Sequence, residues 1–208
     1  NFYGTTNLGG ANDGGTVFEI TPGGALQTLY SFCSQGGTQC TDGAYPEAGL
    51  VQATDGNFYG TTYSAPAYGT VFQITPSGTL TTLHTFSNTP DGAYPMGELI
   101  QATNGKIYGT TSYGGADTYG TVFSLSLGLR PFVETESAAA KVGATVKILG
   151  TNLAAATSVS FNGTLAVFEV VSGSLITTTV PAGATTGEVE VVTPGGTLSS
   201  NVPFRVLP

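Results

Sequence analysis

The chain repeats itself, and this narrows its fold more than any other feature. NFYGTT at residues 1–6 returns as NFYGTT at 57–62 and as KIYGTT at 106–111. GTVFEITPGGALQTLYSF at 15–32 returns as GTVFQITPSGTLTTLHTF at 69–86, with a last partial copy, GTVFSLSLG, at 120–128. DGAYPEAGLVQATDG at 42–56 returns as DGAYPMGELIQATNG at 91–105. The offsets are 56 and 49 residues, and the difference falls in two loops, around the cysteines and around residues 9–14. Insertions confined to loops are expected when each repeat is one supersecondary unit.

Each unit reads as about four short strands rich in β-branched and aromatic residues, separated by turn residues. In the middle copy these are 57–62, 70–75, 80–86 and 99–103. In the second strand Val71 and Gln73 point one way, Phe72 and Ile74 the other. Strict alternation in the third puts Leu80, Thr82, His84 and Phe86 on one face. Asp55-Gly56 and Asn104-Gly105 predict hairpin turns of two residues, and Asn162-Gly163 marks a hairpin turn. A four-stranded unit of about fifty residues is the pattern of a propeller blade or a related β-array.

The phrases DGNFYGTT, GTVFxITPxGxLxTLYSF and DGAYPxAGLVQ resemble the Gloeo/Verruco-type tandem repeat of large secreted or surface bacterial proteins. The resemblance covers residues 1 to about 128. It implies a propeller-like β-fold in an extracellular setting and carries no catalytic residue. A closed propeller takes about 4–8 blades. The chain offers two full periods and a fragment, and no DGAYPxAGLVQ segment precedes Asn1. The array therefore reads as part of something longer, or as a piece completed by copies of itself in a head-to-tail homopolymer.

Composition changes near residue 129. Residues 1–129 hold eight acids and one base, Lys106, and all ten tyrosines. From Arg130 onward there are five acids and four bases. We place the domain boundary there: repeats over 1–129, a second domain over 130–208. In the second, Val146, Ile148, Val159, Phe161, Val189 and Val191 alternate with Lys147, Ser160, Glu188 and Glu190, as in half-buried strands. About seven strands in this length suit an immunoglobulin-like sandwich. GATVKILGTNL, TSVSFNG, ITTTVPAGATTGEVEVVTPGGT and VPFRV are similar to the IPT/TIG domain, which in bacterial secreted proteins is a spacer or interaction module. The expected fold class is all-β throughout: a propeller-like β-array followed by a β-sandwich.

Charged residues make up 9% of the chain, against about 25% in an average globular protein. No basic surface exists to neutralise phosphate, so nucleic acid is not an expected partner. No apolar run reaches the ~18 residues of a membrane span, so no membrane insertion is expected. The chain starts within a repeat and shows no signal peptide. Cys33 and Cys40 share one Gly/Ser/Gln-rich loop with neither metal-ligand nor redox spacing. A local disulfide is expected, and with it an extracellular or cell-surface location.

Candidate chemistry is sparse. His84, the one histidine, falls where the preceding repeat has Tyr30, and no nucleophile accompanies it. Glu19, Glu47, Glu98 and Asp117 do not recur between repeats. Asp42 and Asp91 do recur in DGAYP, as turn formers or as calcium ligands, although calcium takes about 6–8 oxygens and no D-x-D-x-D-G run is present. The recurring Tyr3, Tyr59 and Tyr108, with Tyr45 and Tyr94, are candidate glycan contacts, although recurrence in every unit favours blade packing. Asn162, in Asn-Gly-Thr, is a candidate glycosylation site. No catalytic residue, cofactor or metal site is expected. The leading expectation is an extracellular structural protein, a segment of a surface fibre, matrix or stalk assembled through β-strand contacts between copies. The alternative is a surface adhesion module binding glycans or proteins, and a third reading is an enzyme whose catalytic domain lies outside these residues.

Overall fold

The computed structural model describes residues 1–208 and divides into two compact units. The first comprises Asn1–Gln101 with Lys106–Leu127, the second Ala102–Gly105 with Gly128–Pro208. The first unit contains β1 (Phe2–Thr6), β2 (Thr16–Ile20), β3 (Leu26–Ser31), β4 (Val51–Gln52), β5 (Phe58–Thr62), β6 (Thr70–Ile74), β7 (Leu80–Thr85), β8 (Ile100–Gln101), β9 (Ile107–Thr111) and β10 (Thr121–Leu125). They form three antiparallel sheets, β1-β2-β3, β4-β5-β6-β7 and β8-β9-β10, here called blades 1, 2 and 3. Each is an open sheet; none closes on itself.

The repeated words of the sequence are the contacts that build a blade. In YGTT the glycine pairs across the sheet with the Phe of GTVF: Gly4 with Phe18, Gly60 with Phe72, Gly109 with Phe123. A Cβ on these glycines would meet the ring Cζ at 2.7, 2.6 and 2.5 Å, so the ring lies directly on the backbone. The last Thr of YGTT bonds its hydroxyl to the Thr of GTVF in every blade, at 2.9, 2.8 and 2.9 Å. The glycine that opens GTVF has φ of 92°, 97° and 88°, a conformation that only glycine adopts without strain.

Cross-strand partners share a face of the sheet, so each blade has two distinct faces. One carries Tyr59, Val71 and Gln73, and the other Phe58, Phe72 and Ile74. These are the valine face and the phenylalanine face. The valine face of blade 1 (Tyr3, Val17, Tyr30) packs on the phenylalanine face of blade 2 (Phe58, Phe72, Ile74, Leu80) in one cluster that includes Phe32. Tyr3 lies 4.1 Å from Phe58 and Phe32 lies 5.1 Å from Phe72, between ring centroids. Between blades 2 and 3 the Phe86 and Phe123 rings repeat the second contact at 5.1 Å.

Two local expectations change. The third strand does not alternate strictly. Thr82 pairs with Phe72 and His84 with Val71, leaving Leu83 as a β-bulge. The extra residue sends His84 to the valine face while Leu80 and Thr82 stay with the phenylalanine face. The Asp55-Gly56 turn is not a two-residue turn either. Gly56 N–H donates to Ala53 O and Ala53 N–H to Asn57 O, and of Asp55 and Gly56 only Gly56 has positive φ. That is a type I turn closed by a left-handed glycine, and Asn104-Gly105 has the same positive-φ glycine and the same bond to Ala102 O. Asn162-Gly163 does place both residues at positive φ, 44° and 81°.

The second unit contains β11 (Glu134–Thr135), β12 (Ala139–Lys141), β13 (Thr145–Leu149), β14 (Ser158–Phe161), β15 (Thr164–Ala166), β16 (Phe168–Ser172), β17 (Leu175–Thr179), β18 (Val189–Thr193), β19 (Gly196–Ser199) and β20 (Arg205–Leu207). One sheet runs β11-β13-β17-β16 and the other β15-β14-β18-β19, with β12 and β20 paired in parallel. Inward residues of both sheets, Val146, Ile148 and Ile176 against Val159, Phe161, Val189 and Val191, share one core with Val133, Leu153 and Phe204. The arrangement is an immunoglobulin-like sandwich, two sheets face to face over an alternating core.

Candidate functional site

The aspartates of DGAYP hold loops. Asp42 is fully buried and accepts from the Tyr30 hydroxyl (2.8 Å), the Ser34 hydroxyl and N–H, and the Gln35 N–H. It thereby fixes the start of the 33–41 loop, which the disulfide between Cys33 and Cys40 closes. Asp91 repeats the arrangement with His84 Nε2 at 2.8 Å and the Ser87 hydroxyl and N–H. Burial pushes the Asp91 carboxyl up, but the bonds from Ser87 and His84 outweigh it and hold the pKa below the ordinary carboxylate value. Asp91 stands between Ser87 and His84, so no histidine is placed to activate a hydroxyl. No three His, Cys, Asp or Glu side chains converge as a metal ion would need. Both aspartates hold the loops that follow the third strands of their repeats.

The strand tyrosines belong to the blades. Tyr59 is 1% exposed and its hydroxyl donates to Asp55 Oδ2 at 2.8 Å while accepting from Gln73. Burial, then the Asp55 hydrogen bond and charge, push its pKa up to about 12. A ring this enclosed has no face for a sugar. Tyr3 packs on Phe58 and bonds Glu19 at 2.9 Å, and Tyr108 is half-buried at the matching position. Asn162 is exposed, but the side-chain nitrogen that would carry a sugar donates to Thr185 Oγ1 (2.8 Å) and Thr186 O.

A second group of tyrosines lies in loops, and of these the sequence singled out only the recurring Tyr45 and Tyr94. Tyr63 stacks on Tyr94 (4.9 Å) and Tyr68 meets Tyr94 edge-on (5.8 Å). Tyr45 and Tyr94, in the two DGAYP copies, have φ of 59° and 57°. Their backbones join neighbouring segments: Tyr45 N–H to Gly14 O and Tyr63 N–H to Tyr45 O, then Tyr94 N–H to Tyr68 O and Ser112 N–H to Tyr94 O. Tyr113 and Tyr119 are exposed nearby in sequence. None of these six hydroxyls bonds within the chain, unlike those of Tyr3, Tyr30 and Tyr59. The signal was available: these tyrosines lie in turn-rich segments, outside the alternating strands.

The other exposed feature is blade 3. Val17 and Val71 are 0% exposed, whereas Val122 at the same repeat position is 79% exposed. At the opposite end of the stack Phe2 is 65% exposed and its counterpart Phe58 4%. Blade 3 also lacks the counterpart of β3 and β7, the third strand of the repeat. After β2 and β6, Thr21 and Thr75 hydroxyls accept the N–H of Ala25 and Thr79 and turn the chain back. After β10 the sequence is Ser126-Leu127-Gly128-Leu129, without the Thr-Pro turn, and β10 remains the edge of its sheet.

Three open, face-packed β-blades and an immunoglobulin-like sandwich define a repeat-array protein with an appended sandwich domain. The chain belongs to the Gloeobacter/Verrucomicrobia repeat family, whose model matches residues 1–168. The IPT/TIG domain model matches residues 132–206. No curated protein matches it. Among solved structures it is similar to the SGBP-B protein from a complex xyloglucan utilization locus in Bacteroides uniformis. That match has 14% identity and a TM-score of 0.32, over 64% of this chain and 35% of the other. It is also similar to a fungal alcohol oxidase of the AA5 family in complex with copper, with 14% identity and a TM-score of 0.35, over 93% of this chain and 48% of the other. The chain thus spans about a third and about half of the lengths of these two proteins.

Proposed function

We propose that this chain is a structural module of the cell exterior, without catalytic activity of its own, that assembles end to end with copies of itself. The observation that carries the reading is the open valine face of blade 3. Burying a side chain such as Val122 contributes about 1.5–3 kcal/mol, and twice within the chain the same face is buried against a phenylalanine face. The phenylalanine face of blade 1, with Phe2 and Leu26 exposed, presents the matching surface. A contact of one end with the other is heterologous and propagates as a ring or a filament. The disulfide supports an oxidising, extracellular setting. The side chains that chemistry would need, His84, Asp42 and Asp91, are engaged in loop architecture.

Light scattering and negative-stain microscopy across a concentration series test this. The native chain should form multimers, and Val122→Lys should hold it monomeric with an unchanged melting temperature. Native monomers at millimolar concentration would refute the reading. The loop tyrosines favour a second reading, a surface module that binds neutral glycans through exposed rings with free hydroxyls. A glycan array would support it only if selective binding is lost with Tyr113→Ala and Tyr119→Ala.

A further inference from the structure

We infer that the free edge of β10 is a strand-acceptor site, and that its ligand is an extended segment of another polypeptide carrying the repeat's own third-strand pattern, Leu-x-Thr-Leu-(Tyr or His)-(Ser or Thr)-Phe. The site is an edge and a groove, distinct from the valine face on which assembly of copies rests.

Blades 1 and 2 show the same seat occupied. In blade 2, Leu80 pairs with Ile74, Thr81 with Gln73 and Thr82 with Phe72, then Leu83 bulges, His84 pairs with Val71 and Thr85 with Thr70. In blade 1 the register is the same, from Leu26 on Ile20 to Ser31 on Thr16, with the bulge at Leu29. The strand ends in the same bond each time, Phe32 N–H to Gly15 O at 2.9 Å and Phe86 N–H to Gly69 O at 3.0 Å. In blade 3 the acceptor half is complete. β10 pairs with β9 in the register that β6 keeps with β5, Gly120 has the same left-handed conformation as Gly15 and Gly69, and the other side of β10 carries no strand.

Side-chain space agrees with the backbone. A groove of about 190 Å³ lies between blade 2 and the edge of blade 3, lined by His84, Phe86, Asp91, Phe123, Ser124 and Leu125. In the preceding interface the corresponding region is covered by Leu80, which packs on the cluster of Phe32, Phe72 and Ile74. Phe86, Phe123 and Leu125 are the repeat equivalents of those three residues. The incoming leucine would therefore sit opposite Leu125 with its side chain in the groove. The threonine would pair with Phe123, the Tyr or His with Val122, and the terminal Phe N–H would donate to Gly120 O. Strand addition of this kind draws affinity from main-chain bonds and specificity from side-chain pockets. Exposed edges bind other chains because their donors and acceptors are otherwise met only by water.

The probe is a labelled peptide with the sequence of residues 79–87, titrated into the 208-residue protein. Saturable binding is expected, together with slowed amide exchange at residues 121–125. A peptide with Thr82→Pro, which removes a ladder N–H and fixes φ, should bind at least tenfold more weakly. In the protein, Leu125→Glu should weaken binding by a similar factor, read beside a thermal melt that reports whether blade 3 is intact. Phe2→Lys, on the exposed phenylalanine face of blade 1 and away from β10, is the control for assembly: peptide binding retained by that variant, in which the contact between copies is broken, keeps this site separate from that contact. No saturable binding, equal binding of a scrambled peptide, or slowed exchange outside residues 121–125 would overturn the inference. Slowed exchange at 121–125 without peptide, rising with protein concentration, would make a second copy the donor and overturn the assignment to a separate chain.

Discussion

At the scale of residues, the repeat preserves contacts that tolerate no alternative side chain. Gly60 is the clearest case, since a Cβ there would stand 2.6 Å from Phe72 Cζ and 2.8 Å from Leu50 Cδ2. Gly60→Ala should destabilise the first unit by about 1–3 kcal/mol, the usual cost of overpacking, in a urea denaturation curve. Gly23→Ala, where the nearest atom is 3.8 Å away and φ is not positive, should be close to neutral. Titration gives a second test. Tyr59 is raised to about 12 in the folded chain, so the folded state holds its phenolic proton more tightly. Its contribution is complete below the ordinary tyrosine value of 10 and is lost as pH rises through 12. Asp55 and Asp91 are depressed instead. Burial opposes the shift, but bonds from Tyr59 and Asn57 to Asp55, and from Ser87 and His84 to Asp91, prevail. Their contribution is present above the ordinary carboxylate value and disappears as pH falls through the lowered one. Thermal melts should be flat between these limits and fall at both ends. A late tyrosinate absorbance rise near pH 12 should vanish in Tyr59→Phe.

At the scale of elements, the sequence was most legible where one physical rule acts alone. The repeat unit placed β5 and β6 within a residue, and in the second unit period-two alternation named Val146, Ile148, Val159, Phe161, Val189 and Val191, all buried. It failed at Leu83, because a bulge adds a residue without any local signature beyond the leucine itself. It failed at Asp55-Gly56, because the same dipeptide serves a two-residue turn and a type I turn with a left-handed glycine, and the flanking pairing decides between them. It left Tyr59 between glycan contact and blade packing, because recurrence alone does not separate an exposed binding ring from one enclosed between sheets. The cysteine loop is the element where the covalent and polar supports can be separated. Closing a loop of this length by a disulfide is worth about 2–3 kcal/mol in the chain-entropy account, and Asp42 holds the same loop by hydrogen bonds. Cys33→Ser with Cys40→Ser should lower the melting temperature while leaving Tyr30 bonded to Asp42. Adding Asp42→Asn should cost more than in the disulfide-intact chain, because the two supports then fail together. Additive losses would show that they act independently.

At the scale of the whole repeat unit, the blades interlock by opposite faces, and this makes the two ends of the stack complementary. Tyr3 of blade 1 rests on Phe58 of blade 2 with ring centroids 4.1 Å apart. By the same repeat positions, Tyr108 of blade 3 should rest on Phe2 of the next copy in an end-to-end assembly. The contact joins unlike surfaces, so it can be tested with two differently labelled proteins. Phe2→Cys and Tyr108→Cys variants, mixed and treated with a short bismaleimide, should give a mixed crosslinked dimer as the main product. Phe2→Cys mixed with Leu165→Cys, an exposed position on β15 of the second unit, should give only background. Homodimers of Tyr108→Cys in excess would instead indicate that valine faces meet each other. Such a two-fold contact closes on itself and ends growth at a pair, so the identity of the crosslinked species decides between a chain of copies and a capped dimer.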